Sequence, residues 1–274
     1  MSDSSPYRTI AVAITFSPRV EQVLAEAKRI RDLFEAELQL IYVGRENDEV
    51  RAKFRETLRR VQLPADSVIH YEEGDPAEGI LRAIDRHDIS LVVAGALEKE
   101  LVLHPFLGNV ARRLLRDARR SVILFTTPQR EPKPLRNIVF ITDHSAHSSR
   151  AFRQALRLFA REKPERLFVI RVSTTFAQAR AAREGAEQTD EDTRLEQFVL
   201  AAGQTDVPIE VRCIRGNTGF VAADFVKSVQ AELLIVPLEP AAQRGPLPSN
   251  LEWLTDIIPC NLWVIRGGRQ QAAD

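Results

Sequence analysis

The chain has 274 residues, enough for two domains of ordinary size, each able to bury its own core. Lysine plus arginine number 38 and aspartate plus glutamate also 38. The formal charge is therefore zero, and no global field draws the protein to nucleic acid or to an anionic membrane. No apolar run approaches the ~20 residues that span a bilayer, and the start, MSDSSPYRTIAVAI, lacks a basic stretch leading into an apolar one. Cys213 and Cys260 have no CxxC or Cys/His spacing, which suits buried free thiols in a reducing compartment. The expectation is a cytoplasmic protein.

In chain order, RTIAVAIT (8–15) is a continuous, β-branched-rich apolar run, as in a strand covered on both faces. SPRVEQVLAEAKRIRDLF follows, with Ser17 suited to an N-cap and Pro18 to the first helical position. Val20, Val23, Leu24, Ala27, Ile30 and Phe34 then share one helical face. A strand at 38–43, a charged helix over 48–61, a strand at 67–71 and a turn and helix in EEGDPAEGILRAIDRH come next. The strand SLVVAG (90–95) leads through the long loop GALEKELVLHPFLGN (95–109) to a helix near 108–118 and a strand at 121–126. Short connections between buried strands predict a parallel sheet with helices on both sides.

The order then repeats. NIVFITD (137–143) answers TIAVAIT, and SAHSSRAFRQALRLFA answers the first helix, with Phe152, Ala155, Leu156 and Phe159 on one face. Strands are expected at 166–172, 209–216, 232–237 and 261–266. PQREPKPLR (128–136), with three prolines among polar residues, reads as an exposed linker. The predicted organisation is an α/β domain over 1–128, a linker over 129–136 and a second α/β domain over 137–274. The acidic run 182–198 is extra length in the second copy and reads as a solvated surface.

ITDHSAHS at a strand end, the GDPAEGI turn, and a glycine loop running into GNVARRLLRDARRSVIL together resemble the universal stress protein family in its tandem form. The resemblance covers nearly the whole chain. It implies two open five-stranded parallel sheets of order 3-2-1-4-5, paired within the chain as a pseudodimer, and members that either bind ATP or do not. The ATP-binding pattern is glycine, two residues, glycine, nine residues, then glycine and Ser/Thr. Glycines free the backbone for positive φ and close approach to phosphate, and the last pair opens a helix whose N–H groups attract an anion.

Against that pattern the first half keeps the spacing and alters the chemistry. Gly95 and Gly108 stand at the first and last glycine positions, Glu98 replaces the middle one, and Asn109 replaces Ser/Thr. A carboxylate 4–6 Å from a polyphosphate costs roughly 1 kcal/mol or more, which Lys99 would offset if turned inward. Thr15 stands where binding members place an acid, and Val43 ends the second strand; with Gly95, Gly108 and Asn109 these are the nucleotide-contacting positions the resemblance implies. The second half is the reverse case. Asp143, Ser145 and Ser148 match the first-strand motif, while Pro237, Pro240 and Pro248-Ser249 occupy the phosphate loop, where proline offers no N–H. Asp143 is then a remnant of a lost site.

Asp143, His144, Ser145, His147 and Ser148 also invite a hydrolase or metal reading, but residues adjacent on one loop seldom assemble a triad and no HxxxH partner exists. Helix capping is preferred. Arg112, Arg116 and Arg119 read as a solvated helix face, and His104-Pro105-Phe106 as loop packing. An enzyme of another α/β class lacks a signature loop here. The expected function is a non-catalytic stress-response regulator that binds a protein partner and needs no cofactor or metal; the alternative is an ATP- or AMP-binding regulator, with slow ATP hydrolysis, using the first-half loop. A homodimer is an open assembly state.

Overall fold

In a computed structural model of the chain, the described residues are 5–96, 107–173, 191–203, 205–216, 220–239, 247–248 and 251–267. The chain divides into two compact units between Lys133 and Pro134. All ten expected strands form, and each unit has the α/β architecture predicted from the alternation of apolar runs and amphipathic helices.

The first unit comprises β1 (Thr9–Ile14), α1 (Val20–Phe34), β2 (Glu37–Val43), α2 (Asp48–Arg60), β3 (Ile69–Glu72), α3 (Pro76–Arg86), β4 (Leu91–Gly95), α4 (Asn109–Asp117) and β5 (Ser121–Phe125). The strands are parallel in the order β3-β2-β1-β4-β5. Ile10, Ala11 and Val12 of the central β1 are wholly buried, as a strand covered on both faces requires. On α1, Val23, Leu24, Ala27, Ile30 and Phe34 pack inward, while Val20 is only half-buried. The helix begins two residues later than expected: its N-cap position is Arg19, with no side-chain cap. Ser17 and Pro18 instead lie in a turn in which the Ser17 N–H donates to the Thr15 carbonyl and the Val20 N–H to the Ser17 carbonyl. By contrast Asn47 caps α2 and Asp75 caps α3, the latter followed by proline at the first helical turn.

The second unit repeats the plan with β6 (Asn137–Ile141), α5 (Ala146–Glu162), β7 (Arg166–Ser173), α6 (Glu191–Ala202), β8 (Ile209–Arg215), α7 (Phe220–Ser228), β9 (Leu233–Pro237) and β10 (Asn261–Ile265). Its parallel strands run β8-β7-β6-β9-β10, the order that the family resemblance implies. Where the first unit has the nine-residue α4, the described residues of the second hold a 3-10 turn, Glu252–Thr255. The acidic run is not wholly solvated: from Glu191 it is helical, with Leu195 and Phe198 buried, while 182–190 lie outside the described residues.

The proline-rich connection is exposed, yet each end is fixed within its own unit by a buried carboxylate. Glu26 accepts the Gln129 N–H at 3.1 Å, and Glu162 accepts the Leu135 N–H at 3.0 Å. Both thiols are free, and burial raises each; that of Cys260 is pushed up to about 12, which leaves it unreactive.

On the edge strand β3, the His70 ring stacks on His87 at the end of α3, with centroids 3.6 Å apart and planes 17° from parallel. Burial, and then the neighbouring His87, push His70 below its ordinary value of 6.5, against opposing attraction from Glu72 and Glu37. A histidine whose folded pKa lies below its unfolded one is harder to protonate in the native state. Its stabilising contribution is therefore complete above the unfolded value and declines as pH falls below it. First-unit stability is expected to drop as pH falls through the ordinary histidine value of 6.5 and below, and His70→Gln to flatten that slope. Urea unfolding by far-ultraviolet circular dichroism at a series of pH values checks this; equal slopes for both proteins refute it.

Candidate functional site

In a sheet of order 3-2-1-4-5 the connections leaving the carboxyl ends of the first and fourth strands diverge, and a crevice opens between them. In the first unit that crevice is a cleft of about 410 Å³, within the range of small-molecule sites. Thr15 follows β1, Val43 ends β2, Gly95 ends β4, and Gly108 and Asn109 open α4; all five line it. Asp143 belongs to the second unit and Glu98, Lys99 and His104-Pro105-Phe106 lie outside the described residues.

The ends of the long loop are tied together. The Gly108 N–H donates to the Ala96 carbonyl at 2.9 Å, and the Ala96 N–H to the Phe125 carbonyl at 2.9 Å. This sets the start of α4 against the cleft, and Gly108 at its N-cap supplies no side-chain cap. Helix termini leave N–H groups without intrahelical partners and carry partial positive charge, so this end favours an anion. Neither glycine serves the left-handed role expected of it. Gly108 has φ −60°, and Gly95 is not among the residues with positive φ. A Cβ built at Gly95 meets only Val23 Cγ2 at 3.5 Å, an ordinary contact. What the glycines contribute is bare backbone at the wall of the cleft.

The other walls are aliphatic: Ile14, Val20, Ile41, Val43 and Ile80, with Phe125 at the back. Arg19 is the one cation among the described lining residues, its Nη1 donating to the Thr126 carbonyl at 3.5 Å. No carboxylate is among them. Thr15 and Ser17 supply hydroxyls, but no described lining residue is a histidine, lysine or acid that could take their protons. The geometry suits binding of an anionic group beside an apolar body.

Sequence reasoning missed two features that hold the cleft in shape. Val43 is pinned by Gly79 of α3, where an added Cβ would sit 2.8 Å from Val43 Cγ2. Arg113 of α4 bridges to Asp75 at 2.6 Å and to Glu78, joining α4 to the first turn of α3. The GDPAEGI turn and the basic run carried these residues in the sequence, but neither pairing has a local signal. Arg112 and Arg116 are exposed on α4, as expected of a solvated face, while Arg119, also exposed, lies beyond the end of the helix at Asp117.

In the second unit the corresponding strand end is spent on capping. Asp143 Oδ1 accepts the Ser145 N–H at 2.9 Å and the Ser148 hydroxyl at 2.5 Å, and the Ser145 hydroxyl accepts the Ser148 N–H to cap α5. Burial pushes the Asp143 carboxyl up, but the hydrogen bonds from Ser148 and Ser145 outweigh it and hold the group below its usual range. His144, at φ 62°, turns to Glu191 at 2.8 Å, which also binds Arg171 at 2.9 Å. His147 is buried, its Nε2 3.2 Å from the Ile265 carbonyl. These side chains diverge, and among the described residues no three His, Cys, Asp or Glu cluster to hold a metal. Pro237 ends β9, Pro248 precedes the 3-10 turn, and Pro240 and Ser249 lie outside the described residues.

No helix of the described residues is long and apolar enough to cross a membrane. The sequence profile of the universal stress protein family matches this chain twice, over residues 44–126 and 134–266. A search of curated proteins finds no match. Among solved structures, the chain is similar to a functionally unknown protein of Pseudomonas aeruginosa PAO1, with 15% identity over 95% of this chain and 92% of that one and a TM-score of 0.68. It is also similar to a universal stress protein from Archaeoglobus fulgidus DSM 4304, with 16% identity over 95% and 98% and a TM-score of 0.62. At these identities the likeness concerns the fold.

Proposed function

Because the chain belongs to the universal stress protein family through both its halves, we propose that it is a cytoplasmic stress-response protein that acts by binding, on a protein partner, without catalysing a reaction. Its ligand site is the first-unit cleft, in which the nucleotide site is degenerate; that of the second unit is lost. The observation that carries this reading is the chemistry of the first cleft: an uncapped helix start, aliphatic walls and, among the described lining residues, one guanidinium and no side-chain base beside either hydroxyl. Glu98 and Thr15 further weaken a polyphosphate complex, the first by repulsion and the second by withholding a carboxylate. In the second unit the 3-10 turn found among the described residues supports loss of the site, since it offers no extended helix dipole toward a phosphate.

The retained cleft and the uncapped α4 favour a second reading, in which ATP or AMP binds the first unit. Titration of the protein with ATP and magnesium by calorimetry separates the two. The first reading expects weak or no heat, and a gain in ATP affinity of several-fold in Glu98→Gly. Tight ATP binding that is abolished by Gly108→Asp establishes the second reading instead.

A further inference from the structure

One helix of the second unit carries its charge on a single line. Arg150, Arg153, Arg157 and Arg161 of α5 stand three, four and four residues apart, a spacing that keeps them on one helical face over roughly 16 Å. Ala151, Phe152, Ala155, Leu158 and Phe159 are buried on the other side, so the line follows the solvent ridge. Arg150, Arg153 and Arg161 are exposed and Arg157 is half-buried. The one acid of α5, Glu162, is buried and accepts the Leu135 N–H. Among the described residues, Arg150, Arg153 and Arg157 have no hydrogen-bonded or ion-pair partner. Like charges one turn apart oppose the helix that holds them. The counterpart helix α1 avoids this: there Arg29 faces Glu26 and Arg31 faces Asp32. The unbroken basic line is therefore a property of the second copy and not of the repeat.

We propose that this ridge docks an acidic helix of a partner protein, with carboxylates at the same three- and four-residue spacing. Helices laid side by side present charges at matching intervals of about 5–6 Å. An extended segment repeats on one face every ~6.6 Å and drifts out of step. Guanidinium groups pair carboxylates through two parallel N–H donors, which fixes register as well as affinity. A broader polyanion fits less well. α6 lies beside α5, with Phe198 5.5 Å from Phe152, and it exposes Asp192 and Glu196. A nucleic-acid duplex or an anionic bilayer spanning both helices meets opposing fields. A single strand finds no stacking platform, because both aromatic rings of α5 are buried. The ridge supplies a site for the protein partner already inferred; it rests on that reading for the class of partner and on nothing in the cleft.

The test is fluorescence anisotropy of the full chain with labelled probes. These are an alanine-rich helical peptide of about 18 residues with four glutamates at this spacing, an isomer of equal composition with the glutamates dispersed around the helix, and a short DNA duplex. Co-sedimentation with phosphatidylserine–phosphatidylcholine vesicles runs alongside. The ordered peptide is expected to bind about fivefold or more tighter than its isomer, and to weaken as salt rises from about 50 to about 300 mM. The double variant Arg153→Glu, Arg157→Glu is expected to weaken it at least about tenfold. Arg153→Lys with Arg157→Lys is expected to cost about two- to threefold, since lysine keeps the charge and loses the paired donors. Reversal of the exposed Arg112 and Arg119 to glutamate changes the net charge equally and is expected to leave binding within about twofold. The melting temperature of each variant reports its folding, and the α5 reversal is expected to raise it by removing like-charge contacts. Equal affinity for the two peptides, or binding of the ordered peptide untouched by the α5 reversal, overturns the proposal and leaves the partner-binding reading standing. Tighter binding of duplex or vesicles through the same arginines overturns the protein partner while leaving the ridge a docking surface. No binding by any probe overturns the ridge's role altogether.

Discussion

Phe152→Ala is expected to remove about 3–5 kcal/mol from the second unit, the usual cost of emptying a phenylalanine site that cannot collapse. Phe152 lies on α5 and is wholly buried. It meets Phe140 of β6 edge-to-face at 4.9 Å and 75°, and lies 5.5 Å from Phe198 of α6 and 6.1 Å from Phe159. One ring thus joins the central strand to two helices, and its loss forfeits aromatic contact energy as well as buried area. Such a change is readable unit by unit. Both tryptophans, Trp253 and Trp263, fall in the second unit, and all three tyrosines, Tyr7, Tyr42 and Tyr71, in the first. Urea unfolding followed by tryptophan emission should show the midpoint move sharply down, beyond what Phe159→Leu produces. A shift of under about 1 kcal/mol would mean that the rings around position 152 re-pack to fill the space.

The second expected result concerns the cleft wall. Gly79→Ala would ordinarily stabilise a helix by about 1 kcal/mol, because glycine is a poor helix former. Here the new methyl meets Val43 Cγ2 at 2.8 Å and Glu72 Cβ at 3.2 Å. Valine has little rotamer freedom to retreat, and Glu72 is buried and held by Arg82 at 3.2 Å and Arg86 at 2.8 Å. Overpacking of this kind costs about 1–3 kcal/mol, so the clash wins and the net effect is destabilisation of about 1–2 kcal/mol. Val43→Ala in the same chain relieves the contact, and the double variant should recover most of the helix gain. A non-additive cycle of this sign identifies Gly79 and Val43 as one packing unit; additive effects would disprove their contact. Ligand affinity should fall in the single Gly79→Ala variant, because the displaced Val43 lines the cleft.

Most of the architecture was legible in the residues. Short apolar runs rich in β-branched residues, such as the β1 and β6 segments, read as strands covered on both faces, and the matching order of elements in the two halves exposed the duplication. The start of α1 was misread because Ser17-Pro18 is a strong local cap signal, yet the turn that follows β1 uses the Ser17 carbonyl instead and leaves Arg19 at the cap position. The five first-half site positions were marked by family spacing, and they do gather on one cleft. That their glycines adopt ordinary φ was not legible, since the composition of a loop does not dictate its path.

Sequence alone determined the strand and helix periods, the tandem repeat and the proline-rich connection. The periods and the connection are local properties, written in neighbours a few residues apart, and the repeat is the same local pattern met twice. Only the tertiary structure decided that Gly79 presses on Val43, that Arg113 braces Asp75 and Glu78, that the Asp143 carboxylate is spent on Ser145 and Ser148, and that a 3-10 turn stands where α4 has its counterpart. The contacts between elements depend on how crossover helices settle on a twisted sheet. That packing is set by the sum of many side chains and has no signature in any one stretch of the chain.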